Sequence, residues 1–151
     1  MQLSSFLEKH KSEIITESTD NLQRAHLKSY SHSGEGQNKQ RLEKLFELTT
    51  QSVRSENLLP ITEYSEKIAK ERFESGFDLH EVHKAFNVLE ETIWKKIISE
   101  VEPAELGKAL GLVSTVLGAG KESLALTYVT LASKTKSKSL DLSALFGRKT
   151  E

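Results

Sequence analysis

The stretch Ala109-Leu110-Gly111-Leu112-Val113-Ser114-Thr115-Val116-Leu117-Gly118-Ala119 places small or apolar residues nearly all the way round a helical wheel. Such a helix must be covered on more than one side. One face, with Leu106, Leu110, Val113, Leu117 and Leu124, suits packing on a bundle. Another, with Gly107, Gly111, Ser114 and Gly118, is a stripe of small residues that permits close approach of a second helix. A glycine in a helix interior costs about 1 kcal/mol relative to alanine. Close packing is therefore the natural compensation, either at the centre of a monomeric bundle or at the interface of a homodimer.

The helical pattern around this stretch starts after Pro103 and runs from Ala104 to about Lys134. A helix of that length spans roughly 45 Å, whereas a compact domain of this size is about 38 Å across. Either the helix breaks near Gly118 and Gly120 or one end projects, and a projecting C-terminal end is expected.

Upstream, Leu3, Leu7, His10, Ile14 and Leu22 recur at helical spacing and predict a first helix from about residue 4 to the high twenties. Residues 31–38, with two glycines and no large apolar side chain, read as a flexible connector. A second helix carries Leu42, Leu45, Phe46, Thr49 and Val53 on one face. Pro60 suits the first turn of a third, and Gly76 its left-handed C-terminal position. Asp78-Leu79-His80-Glu81 matches a capping box opening a fourth helix, whose stripe is Val82, Ala85, Phe86, Leu89, Ile93 and Ile97 with Trp94 on its flank. The fold class is all-α: a helical bundle of about five helices with a long C-terminal helix, a globin-like arrangement being one form open to it. Residues 1–133 form the helical domain. Residues 134–151 read as a polar linker followed by a short amphipathic tail, Leu140–Gly147, suited to docking on this subunit or a neighbour.

A chain of 151 residues can bury a single core. Its 21 Lys and Arg against 22 Asp and Glu give a net charge of -1, which supplies no general field for nucleic acid or an anionic membrane. The lack of cysteine excludes disulfides and thiolate metal sites and fits a reducing compartment. The first residues carry charges where a secretory signal needs an apolar run, and no stretch is read as a membrane span. A cytoplasmic setting without membrane or nucleic-acid partners is expected.

No phosphate loop, zinc-protease motif or nucleophile elbow occurs, so no catalytic residues, metal or cofactor are expected. His80 and His83 are spaced as metal ligands can be, but His80 falls on the charged side of its helix. His83, at the edge of the apolar stripe and roughly in line with Glu90, leaves histidine phosphotransfer as an alternative, although His83-Lys84-Ala85-Phe86 breaks the pattern of lysine and glycine that usually follows such a histidine. His10 reads as a packed histidine, with haem or small-ligand binding in a globin-like sensor as another alternative. Arg72 is the informative anomaly, lying between Ile61 and Ile68 in an apolar stripe. A buried guanidinium must be paired. Glu90 and Asp78 are the candidate partners by segment, and the alternative is contact with an anionic ligand or membership of a switchable network of Arg72, His83 and Glu90.

The run Tyr64-x-x-x-Ile68-Ala69-x-x-Arg72-Phe73-x-x-Gly76-Phe77-Asp78-Leu79-x-Glu81-Val82, followed by Ala85 and Leu89, resembles the centre of the RsbRD-type N-terminal sensor domain of stressosome proteins and some histidine kinases. The isoleucines of the first helix, Tyr30 before the connector and Tyr128 in the long last helix are similar in order, and the likeness covers about residues 5–132. It implies an all-helical fold, dimerisation and signal relay in bacterial signal transduction to a kinase, a STAS-type protein or another output module. Family members commonly carry such a module after this domain. Here residues 134–151 follow, which leaves a stand-alone version or an excised piece open. The expectation is a non-catalytic sensory domain acting by dimerisation and protein–protein contact.

Overall fold

The apolar spacings of the sequence become seven helices, with no strand, in the computed structural model, which describes residues 2–145 and their side chains through residue 135. These are α1 (Leu3–Lys9), α2 (Lys11–Arg24), α3 (Lys28–Ser33), α4 (Glu35–Ser55), α5 (Leu59–Glu74), α6 (Leu79–Glu100) and α7 (Pro103–Leu145). α2 packs on α4 and α6, α4 on α5, α5 on α7, and α7 on α6, which closes a ring of helices around one core, with α1 laid on α4. Phe46, Phe86, Ile61, Leu89, Ile93 and Leu117 are fully buried at its centre. Each such side chain is worth about 1.5–3 kcal/mol of burial.

The first helix is broken where the sequence predicts continuity. His10 ends α1 and starts α2, because its backbone, at φ -101° and ψ 11°, leaves the helical range, although the i to i−4 bonds on either side of it, His10 N–H to the Phe6 carbonyl (3.1 Å) and Ile14 N–H to the His10 carbonyl (3.0 Å), are kept. The seven-residue spacing of Leu7 and Ile14 survives the bend, so periodicity gives no sign of it. A second break follows Arg24, where His26 takes a left-handed φ of 51°.

The expected connector is ordered as well. Residues 31–33 finish α3, Gly34 takes φ 87°, and α4 begins at Glu35. Asn38, fully buried, donates from Nδ2 to the Tyr30 carbonyl at 2.8 Å. Polar composition misleads here because the buried polar group has a backbone partner.

Further on, the local signals hold. Pro60 lies in the first turn of α5. Gly76, at φ 84°, follows its C-cap, and the Phe77 and Gly76 N–H groups reach back to the Arg72 (2.9 Å) and Phe73 (3.2 Å) carbonyls. The capping box forms at α6, with the Asp78 N–H donating to Glu81 Oε1 at 3.1 Å. Glu81 also accepts from the Ser29 N–H (2.7 Å) and hydroxyl (2.8 Å), so one buried carboxylate joins the first turns of α3 and α6.

α7 stays unbroken through Gly118 and Gly120 and continues past Lys134, where the sequence reading ends it. Its 43 residues extend about 65 Å. Val113, Leu117, Leu124 and Tyr128 are buried, whereas most side chains from Val129 to Thr135 are exposed. The helix therefore runs out of the bundle beyond Tyr128. The docking expected of Leu140–Gly147 falls outside the described side chains. Residues Pro103–Thr135 contain an 18-residue window of mean hydropathy 1.2, long and apolar enough to cross a membrane by composition, which corrects the reading that no stretch approaches one. In the bundle this apolar character serves the contacts with α5 and α6.

Gly120 explains how α7 fits between those two helices. A Cβ there would meet Ser65 Oγ at 3.0 Å, an Ile61 carbon at 3.1 Å and a Phe86 ring carbon at 3.2 Å. Gly107, Gly111 and Gly118 have nothing within 4 Å of the same position.

Glu81 provides a test of this architecture. Burial alone pushes its carboxyl up, but the hydrogen bonds from the Ser29 N–H, the Asp78 N–H and the Ser29 hydroxyl together outweigh that and hold it below its ordinary value. A group depressed in this way stabilises the fold above its unfolded value and loses that contribution as pH falls through the folded one. Glu81→Gln is predicted to cost about 1.5 kcal/mol at neutral pH, with the difference from the parent narrowing as the medium is acidified below the usual carboxylate range. Urea unfolding of both proteins across acid and neutral pH measures it, and a gap that widens on acidification contradicts the assignment.

Candidate functional site

Two polar clusters and one open face stand out from the core. The first forms at the C-terminal end of α5, where the bonds closing that helix set Phe77 against three partners. Its ring makes an edge contact with Tyr30 (5.1 Å between centroids) and lies 5.1 Å from the Arg41 guanidinium carbon and 5.8 Å from that of Arg72. Its carbonyl accepts from the Tyr128 hydroxyl of α7 at 3.0 Å.

Arg72 is 4% exposed, as its position in the stripe requires. Its partner is neither Glu90 nor Asp78 but the adjacent Glu71, whose carboxylate accepts from an Arg72 terminal nitrogen at 2.9 Å. Neighbouring side chains on a helix normally point apart, so wheel geometry does not suggest the pair. The Arg72 Nε is buried without a hydrogen-bond partner. Arg41 enters the same cluster from α4 and donates to Ser33 Oγ at 2.9 Å. Burial, followed by the charge of Arg72, lowers the Arg41 guanidinium below its usual value, and an arginine so placed is still protonated at neutral pH. Burial raises the phenols of Tyr30 and Tyr64.

The second cluster lies between α6 and α7 and contains the other two residues of the expected network. Lys121 donates to Glu90 Oε1 at 2.5 Å and to Asn87 Oδ1 at 2.9 Å, and Ser114 Oγ donates to Glu90 Oε2 at 3.2 Å. The Asn87 amide nitrogen lies 3.3 Å from His83 Nδ1. Burial, with the charges of Lys121 and His80, lowers the His83 imidazole, which favours the neutral ring that accepts from Asn87. Arg72 thus belongs to one cluster, and His83 and Glu90 to another. Among the described residues no three His, Asp or Glu side chains gather as metal ligands, so His80 and His83 have no third partner. His10 packs on the Phe6 ring with centroids 4.6 Å apart, and its Nδ1 is 3.9 Å from Glu13 Oε1.

The open face follows from the same pairing. Glu90, Trp94 and Ile98 lie four apart along one line of α6, and Gly107, Gly111, Ser114 and Gly118 along one line of α7. Because Ser114 bonds to Glu90, these lines run side by side. Ile98 is 57% exposed and Trp94 37%, beside glycines with no side-chain neighbour. Sequence reading found the stripe but missed Arg41 and Lys121. Arg41 lies four residues before the buried Leu45, the kind of spacing that singles out Arg72, whereas Lys121 has no distinguishing pattern. Among known proteins, no family model and no curated protein matches the chain.

The α6–α7 cluster behaves as a lock whose two halves depend on each other. Lys121→Met leaves the buried Glu90 with Ser114 alone and is predicted to cost about 3 kcal/mol. Adding Glu90→Leu removes the stranded charge and should restore most of that loss. Chemical denaturation of the parent, the single and the double variant checks this; a single variant within about 0.5 kcal/mol of the parent would show a solvated pair that locks nothing.

Proposed function

We propose that this domain is a non-catalytic regulatory module that forms a homodimer through the outer face of α6 and α7 and relays packing changes along α7. The observation that carries the reading is the contrast among the glycines. Gly120 is matched by atoms of its own chain, whereas Gly107, Gly111 and Gly118 are helical, open and unmatched. Together these three cost the isolated chain about 3 kcal/mol of helix propensity. A second helix lying close along the stripe offsets that cost, and among the described residues no helix does so.

A second copy is the occupant that fits. The face pairs a groove of small residues on α7 with bulky Trp94 and Ile98 on the neighbouring line of α6. A two-fold axis sets the bulky line of each copy into the groove of the other, as a self-complementary interface requires. The result is a four-helix contact about 17 Å long from Gly107 to Gly118. The exposed Leu126 and Val129 continue along the projecting part of α7, so a shift at the interface is carried outward by a rigid rod. The resemblance to RsbRD-type sensor domains supports the same reading and suggests a bacterial signalling protein as downstream partner.

The haem alternative draws no support from the core. A haem pocket needs several hundred Å³ beside a histidine. The small cavity beside Phe86 is lined by Leu22, Tyr30, Arg41 and Arg72 among others and by no histidine.

Sedimentation of the full chain at micromolar concentration is expected to give a dimer. Ile98→Glu and Gly111→Leu, one charging the ridge and the other filling the groove, should each shift the protein to monomer with helical content unchanged. A parent that sediments as a monomer, or a dimer indifferent to both substitutions, would refute the assignment.

A further inference from the structure

The imidazole of His83 ends the chain of hydrogen bonds that joins α6 to α7. Lys121 carries only donors, so the atom of Asn87 that it holds, at 2.9 Å, is the amide oxygen. That leaves the Asn87 nitrogen for the ring, 3.3 Å from His83 Nδ1. A nitrogen that donates there needs an Nδ1 without a proton to accept it. The bonds therefore run in one order from Ser114 through Glu90, Lys121 and Asn87 to His83, and each fixes the direction of the next.

A proton on Nδ1 is incompatible with that order. The protonated ring donates from both nitrogens, so it bonds to Asn87 only if the amide turns its oxygen toward the ring. The amide nitrogen then meets the Lys121 ammonium, donor against donor. The charges that bear on the ring are Lys121 of α7 and, on α6 itself, His80 and Glu90. Glu90 is already engaged at both oxygens, by Lys121 and by Ser114. The next two turns of α7 bring Leu124, Ala125 and Tyr128, and burial raises the Tyr128 phenol, which keeps its proton. The other helices spend their charges elsewhere: α2 pairs Glu13 with Lys96, α3 engages Glu81 through Ser29, and α4 turns Arg41 to Ser33 and the Phe77 ring. Burial and the neighbouring cations hold the imidazole below its ordinary value, so the complete chain of bonds prevails at neutral pH. A group depressed in this way supports the fold above its unfolded value, and that support is withdrawn as pH falls through the folded one.

We propose that His83 is an acid sensor for the α6–α7 contact: its protonation turns the Asn87 amide away from Lys121 and loosens the outer line of α6 against the glycine stripe of α7. Ser114 is the joint between sensor and face, since it belongs to the stripe and donates to Glu90. Mild acid then shifts the protein from dimer to monomer. This second step rests on the proposed dimer, whereas the turn of the amide does not.

The test follows the parent and Ile98→Glu from about pH 8 to about pH 5. NMR of the histidine rings and of the Asn87 side-chain amide reads the sensor, and fluorescence of Trp94, the one tryptophan of the chain, reads the α6–α7 contact. The amide and Trp94 signals are expected to change in both proteins with the midpoint of the His83 ring. His83→Gln, which offers Asn87 an acceptor that does not titrate, should abolish both changes, while substitution of the exposed His80 by Gln should keep them. Sedimentation of the parent over the same range is expected to show dimerisation weakened about tenfold in acid, and His83→Gln should remain dimeric. Amide or Trp94 signals indifferent to the His83 titration, or an acid response that survives in His83→Gln, would overturn the sensor. A parent that is monomeric at neutral pH but keeps the coincident midpoints refutes the dimer and supports the sensor. A dimer equally tight at both ends of the range overturns the coupling between them.

Discussion

The bundle depends on α7 passing close between α5 and α6, and Gly120 is the residue that permits it. Three heavy atoms from Ser65, Ile61 and Phe86 occupy the space around its missing side chain. The fully buried Leu117 and Leu124 on either side of it then reach the core at the same depth. Interiors are packed nearly as densely as organic crystals, so displacing α7 outward would leave voids along its whole contact with α5. The Lys121–Glu90 pair lies one residue further along and fixes the rotation that this approach requires.

Polar groups inside the bundle divide by how completely they are satisfied. Glu81, Asn38 and Tyr128 have specific partners and tie together elements distant in sequence: α3 to α6, α3 to α4, and α7 to the turn before α6. Satisfaction is incomplete at Arg72 and at Asn38 itself, since Arg72 Nε and Asn38 Oδ1 are each buried without a hydrogen-bond partner while the other polar atoms of the same side chains are bonded.

Residues with a local cause were legible in the sequence. The capping box at Asp78 and Glu81, the left-handed Gly76 and the early Pro60 depend on neighbours within four positions, and the structure places each as read. The burial of Arg72 was legible too, because a charge in the middle of an apolar stripe is carried inward with the Ile61 and Ile68 that flank it. What remained hidden depends on partners far along the chain. Asn38 resembles any loop asparagine until Tyr30 presents its carbonyl. Gly120 is indistinguishable from Gly118 until α5 and α6 are in place, although one is crowded and the other open. Arg41 acquires meaning only when α4 packs on α5 and brings it near Arg72.

Phe77 is the physical link between the cavity and α7. Its ring lies against both guanidiniums and Tyr30, while its carbonyl holds the Tyr128 hydroxyl. Tyr128 in turn makes an edge contact with Phe73, at 5.6 Å, where α7 leaves the bundle. A continuous chain of ring contacts and hydrogen bonds thus joins the end of α5, the turn before α6 and the last buried turn of α7, so the point from which α7 projects is held by the same residue that orders the Arg41 and Arg72 side chains.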